Sequence, residues 1–106
     1  MPNKKATKKV MPPVHPGDVL REDFLKPLGL SVNRLAMDLH VPAPRMNDIA
    51  RGRRSISADT ALRLARYFGT DAQFWINLQS YYDLEVAEDE ARERIEKEVQ
   101  PRQAVA

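Results

Sequence analysis

Residues 32–51 place Leu35, Ala36, Leu39, Val41, Met46 and Ile49 at positions 4, 5, 8, 10, 15 and 18 of the stretch, and no other feature constrains the fold as much. Leu35, Ala36 and Leu39 share one face of a helix, and Met46, Ile49 and Ala50 share one face of another. Between them, His40-Val41-Pro42-Ala43-Pro44 is too rich in proline for a single helix to pass through. The chain must therefore turn between two short helices. All six side chains are hidden together only if the helices cross steeply, with Val41 in the corner and the small Ala36 at the close approach. The corner wants a residue at positive φ, usually glycine. Here it is His40, one of the side-chain types enriched at positive φ.

The flanking segments read as three further helices. His15-Pro16-Gly17-Asp18 opens the first: Pro16 suits a first helical position and Asp18 favours the positive end of the helix dipole. Val19, Leu20 and Phe24 give it a short apolar face, and Lys26-Pro27 is expected to stop it. Ser31 caps the second helix, with Leu30 and Leu35 spaced as a hydrophobic staple. Arg51-Gly52 ends the third. Ser57 caps a fourth, whose Ala61, Leu64, Ala65 and Phe68 follow the helical period with Leu62 flanking, and Gly69 ends it. Thr70-Asp71-Ala72-Gln73 reads as a capping box opening a fifth helix through Trp75, Leu78 and Tyr82. Past Leu84 only a narrow stripe of Ala87, Ala91 and Ile95 remains, laced by Glu88–Arg92, Glu90–Arg94 and Glu93–Lys97 at i,i+4.

With no sustained β alternation, the expected fold is an all-α, five-helix domain with a central helix-turn-helix, lambda-repressor-like in arrangement. The 106 residues suffice for one modest core. They are expected to divide into a disordered basic tail (1–14), a helix-turn-helix domain (15–84) and a charged C-terminal helical extension (85–106).

Composition excludes several chemistries. Cysteine is absent, removing disulfides, thiolate catalysis and cysteine-based zinc sites. Two histidines, His15 and His40, lack a third plausible ligand, so neither a metal nor a cofactor is expected. Asp18, Glu22 and Asp23 cluster on one helix but have no nucleophile–base pair or glycine-rich phosphate loop beside them, so no enzymatic activity is expected. No apolar run approaches the ~18 residues of a membrane span, and the lysines at 4, 5, 8 and 9 precede no signal-like apolar stretch. A cytoplasmic protein is expected, without a membrane partner. Charge is segregated: residues 45–66 hold six arginines against Asp48 and Asp59, and residues 83–98 hold eight acids against three bases. A polyanion partner suits the middle of the chain only.

The second helix of a helix-turn-helix lies in the major groove of double-stranded DNA with its N-terminal residues at the base edges. With Met46 and Ile49 turned inward, Ala43, Pro44, Arg45, Asn47, Asp48 and Arg51 are the candidate base readers. Arg45 matches guanine O6 and N7, and Asn47 matches adenine N6 and N7. Ala43 or Pro44 suits a thymine methyl; Asp48 accepts from cytosine N4 or simply pairs with Arg45 or Arg51. Ser31, Asn33 and Arg34 start the helix that crosses the backbone and, with Arg53 and Arg54 in the following loop, are the candidate phosphate contacts. Solvated loop charge is the alternative reading of those two arginines. Pro42 and Pro44 remove two N–H donors from the recognition helix, weakening phosphate binding there. So small a unit reads few bases, so a homodimer on a near-palindromic operator, with half-sites ~34 Å apart, is expected. Tyr81, Tyr82 and Leu84 are the candidate dimer interface, while Trp75 and Leu78 belong to the core.

From His15 to Leu84 the sequence resembles the HigA-type antitoxins, a branch of the Xre-like helix-turn-helix regulators. The resemblance rests on His15-Pro16-Gly17-Asp18, Pro27-Leu28-Gly29-Leu30-Ser31, Asn33-Arg34-Leu35-Ala36 and Val41-Pro42. It continues in Ala58-Asp59-Thr60-Ala61-Leu62-Arg63-Leu64-Ala65, Phe68-Gly69-Thr70, Phe74-Trp75-Ile76-Asn77-Leu78-Gln79 and Tyr82-Asp83-Leu84. His40 departs from the family's usual turn glycine, and Pro44 is less typical. The resemblance implies a bacterial antitoxin that represses its own operon as a dimer and neutralises a HigB-like toxin, usually an mRNA endonuclease. Residues 1–14 and the acidic C-terminal segment are the candidate toxin contacts. The alternatives are a stand-alone Xre-like regulator with no toxin, and a pure protein-interaction module with no DNA affinity.

Overall fold

The computed structural model describes residues 11–103, and over them the chain forms helices and connecting loops without a strand. In chain order these are α1 (16–28), α2 (Val32–Leu39), α3 (Ala43–Ala50), α4 (Ala58–Phe68) and α5 (Ala72–Glu98). The lysines expected in a disordered tail precede residue 11 and lie outside the described residues.

α1 begins at His15, whose imidazole takes the place of a serine cap. Its Nδ1 accepts the Gly17 N–H at 2.8 Å, and the Asp18 carboxylate accepts the His15 N–H at 3.2 Å. The helix does not stop at Lys26-Pro27 as its proline suggested. It widens into a π-helical stretch at Leu20–Leu25, where the Lys26 N–H reaches back five residues to the Arg21 carbonyl. Pro27 then falls in the opening turn of a last α-helical segment, Lys26–Leu28, where a missing donor costs little. Gly29 ends the helix at φ 62°.

α2 is capped as expected, the Ser31 hydroxyl accepting the Arg34 N–H at 3.0 Å. It ends at His40 in the left-handed conformation, φ 60°, ψ 46°. The N–H groups of His40 and Val41 fold back onto the carbonyls of Met37 and Ala36, both at 3.1 Å. At α4 the Ser57 hydroxyl accepts the Thr60 N–H at 3.2 Å. Leu62, expected to flank its buried stripe, instead points to solvent. α5 departs from the expected capping box. Asp71 is its N-cap, without a side-chain bond to the helix, and the Thr70 hydroxyl accepts the Trp75 indole N–H at 2.9 Å. Gln73 turns to Asn77. A fully buried indole N–H requires an acceptor, and that demand overrides the local cap.

Leu20, Leu35, Met46, Ile49, Leu64 and Trp75 are fully buried where α1–α4 meet the first turns of α5. Phe24 stacks between Phe68 and Trp75, ring centres 4.8 and 5.0 Å away. α5 runs unbroken for 27 residues, so the charged extension is its outer part. Tyr81, Leu84 and Ile95 are exposed along α5, and its arginines reach forward, Arg92 to Glu96 and Arg94 to Glu98, rather than Arg94 back to Glu90. Such exposed pairs contribute about 0.3–0.5 kcal/mol each. Among the described residues no helix is long and apolar enough to cross a membrane.

Candidate nucleic-acid interface

All six residues of the apolar pattern are buried: Leu35, Ala36 and Leu39 on α2, Val41 in the corner, Met46 and Ile49 on α3. Because Met46, Ile49 and Ala50 face the core, the rest of α3 is directed outward. Pro44 and Arg51 are exposed there, while Ala43, Arg45, Asn47 and Asp48 are half-buried.

The N-terminal end of α3 is poor in donors. Pro42 and Pro44 carry no N–H, and the amides of Arg45 and Met46 both turn to the Pro42 carbonyl, at 3.1 and 3.4 Å. The C-terminal end is held from outside the motif. Arg21 of α1 donates to the Ala50 carbonyl and pairs with Asp18 at 2.9 Å. The Gly17 backbone packs against the Ile49 carbonyl, leaving no room for a side chain. These anchors were not singled out in the sequence, although they lie in and just beyond the His15-Pro16-Gly17-Asp18 quartet.

The structure joins candidate base and phosphate contacts. The Asn47 Nδ2 donates to Asn33 Oδ1 and to the Ala43 carbonyl, both at 3.0 Å. Arg45 approaches Asp59 of α4 at 3.7 Å. Asp59 also holds Arg63 at 2.9 Å, and Arg63 donates to the Leu39 carbonyl at the end of α2. Asp48 therefore does not supply the ion pair expected for Arg45, nor does it pair with Arg51; its carbonyl accepts the Arg53 N–H at 2.8 Å.

Ser31, Asn33 and Arg34 are exposed at the start of α2, though the Ser31 hydroxyl is engaged in capping. Arg34 leans on Asp38 at 3.2 Å, and Asp38 accepts the Tyr67 hydroxyl at 2.6 Å. That bond holds the Asp38 carboxyl below its ordinary pKa and raises the Tyr67 phenol. Arg53 and Arg54 are exposed in the loop after α3. The loop is pinned at buried Ile56, whose N–H is accepted by Gln79 Oε1 at 2.8 Å. Gln79 is buried on α5, and its only forewarning was its place in the Phe74–Gln79 block.

His15 is buried beside this loop, and burial lowers its pKa against the raising influence of Asp18, the Arg54 backbone and Asp83. Its ring meets Tyr82 edge-on at 4.8 Å. Of the three candidate interface residues, Tyr82 is thus half-buried within the chain, while Tyr81 and Leu84 stand exposed. Among the described residues no three His, Cys, Asp or Glu side chains are gathered as a metal site.

Residues 22–75 match the Helix-turn-helix family. Virulence-associated protein I of Dichelobacter nodosus is 58% identical over 85 residues, covering 80% of this chain and 79% of that protein. The Pseudomonas aeruginosa antitoxin HigA, solved with the higBA promoter, is 50% identical and superposes with a TM-score of 0.83 over 86% of this chain and 99% of that one. The antitoxin GraA, solved in complex with its operator, is 45% identical with a TM-score of 0.83, over 89% and 95% of the two chains.

Proposed function

The chain belongs to the HigA-type antitoxins of the helix-turn-helix family, and from that premise we propose that it binds a near-palindromic operator as a homodimer, represses its own operon and neutralises a HigB-like mRNA-endonuclease toxin. The observation that carries the DNA-binding part is the presentation of α3. Its inner face is locked by Met46 and Ile49, its end is tied to α1 through Arg21, and its outer face carries Arg45, Asn47, Asp48 and Arg51. A helix so fixed meets the major groove without rearrangement, which keeps the ordering cost of binding low. In this reading α3 reads bases, also through Ala43 and Pro44, while Ser31, Asn33, Arg34, Arg53 and Arg54 hold phosphate.

Exposed Tyr81 and Leu84 midway along α5 support the dimer, and the acids of residues 83–98 suit a basic partner protein. The test is co-expression with the small protein encoded beside this one, scored for association and relief of growth arrest, alongside gel shifts on the DNA upstream of the chain's own coding sequence. Association with rescue, and a shift abolished by excess specific duplex, are the expected results. Operator binding without association or toxicity would make the chain a stand-alone regulator. A chain that binds the partner but no DNA would overturn the operator reading.

A further inference from the structure

We infer that Asn47 reads the DNA through its carbonyl oxygen alone, and that Asn33 is the positioning residue that imposes this, so that the pair distinguishes amino-bearing from keto-bearing bases rather than one base from the other three. The inference rests on the reading of α3 as the groove helix.

The orientation of the Asn47 amide follows from its partners. The Ala43 carbonyl can only accept, so Nδ2, not Oδ1, must face it, at 3.0 Å. The second proton of the same nitrogen goes to Asn33 Oδ1 at 3.0 Å. A primary amide has two N–H donors, and both are now engaged within the protein. Oδ1 remains as the free polar atom. The two-bond grip on adenine, which needs a donor for N7 as well as an acceptor for N6, is therefore not offered. An acceptor alone is matched by adenine N6 or cytosine N4 on the facing strand and opposed by the acceptors of guanine O6 and thymine O4. Asn33, exposed at the start of α2, keeps its own Nδ2 protons for the DNA backbone.

The test is selection from a randomised duplex library by the full-length chain, followed by sequencing. Wild-type protein is expected to enrich a motif in which the position lost in Asn47→Ala accepts A and C within a few-fold of each other, both about tenfold over G and T. Asn33→Ala frees one Asn47 proton, and the same position should narrow to A by about tenfold over C. Asn33→Asp retains the oxygen facing Asn47, so it should keep A and C equivalent while weakening binding to every sequence. The inference is overturned if wild-type protein selects A alone there, if Asn47→Ala alters no position, or if Asn33→Ala leaves A and C equivalent. Failure of wild-type protein to enrich any motif would instead remove the DNA-binding reading beneath it.

Discussion

The backbone of Gly17 lies directly against the carbonyl oxygen of Ile49: a methyl group at residue 17 would sit 2.1 Å from that oxygen and 3.0 Å from that of Ala50. Both atoms belong to the last turn of α3, so this contact sets how α1 seats α3, the proposed recognition helix. Backbone cannot swing aside as a flexible side chain can. Gly17→Ala is expected to cost about 1–3 kcal/mol, as overpacking in a filled core does. Thermal unfolding reads this as a midpoint roughly 4–8 °C lower per kcal/mol. Operator affinity should fall as well, because α3 must shift. A midpoint unchanged from wild type would mean that α1 and α3 are not in contact here in solution.

Gln79 carries a second long-range anchor. Its Oε1 accepts the buried Ile56 N–H, and its Nε2 donates to Asp83 at 2.9 Å. Gln79→Met keeps much of the volume but leaves that N–H without a partner, at a cost of about 1–3 kcal/mol. Because Ile56 ends the loop bearing Arg53 and Arg54, amide exchange at Ile56 should accelerate more than exchange at Leu35. Equal acceleration at both sites would show that the bond stabilises the whole domain and not the loop.

What was legible in the sequence is what local rules govern. The apolar spacing of residues 32–51, the serine caps at 31 and 57 and the left-handed His40 all depend on neighbours within a few residues, and each is present. The anchors of the site depend on tertiary distance. Arg21 meets Ala50 across 29 residues and Gln79 meets Ile56 across 23, and no periodicity encodes either. Thr70 shows the two levels in conflict: its local signal is a helix cap, yet its hydroxyl serves Trp75. His15 caps α1 although histidine is outside the usual capping set, so only its ring nitrogen's position beside Gly17 discloses the role.

His15 also couples stability to pH. Burial lowers its pKa, with Arg21 adding to the effect and Asp18, the Arg54 backbone and Asp83 opposing it. The unfolded chain, with a histidine near the ordinary 6.5, binds the proton more readily than the folded chain. The stabilisation is thus complete above pH 6.5 and is lost as pH falls from there through the folded-state value. Protonating Nδ1 also removes the acceptor for the Gly17 N–H. Chemical denaturation between pH 7.5 and 5 should show declining stability. His15→Asn, which can still cap but does not titrate, should remove the share of that slope due to this group. An identical slope in the variant would place the titration elsewhere.

Arg45, proposed as a base contact, is restrained within the protein. Its guanidinium approaches Asp59 at 3.7 Å, while the same carboxylate oxygen holds Arg63 at 2.9 Å. Asp59 is exposed, so the pair adds little to stability, and under the proposed function its influence falls on the charge that α3 offers to the groove. Arg45→Ala should cost about 1–3 kcal/mol on the operator and relax the preference at one position. Arg53→Ala should weaken all sequences alike and lower the salt slope by about 1. Asp59→Asn acts in the opposite direction on affinity. It removes a negative charge beside the groove and frees Arg45, so binding to random duplex should tighten more than binding to the operator, and the specificity ratio should fall. Salt titrations on both duplexes measure all three variants. If Asp59→Asn tightened the operator and random DNA by the same factor, the carboxylate would be acting as a general repulsive charge and not as a restraint on Arg45.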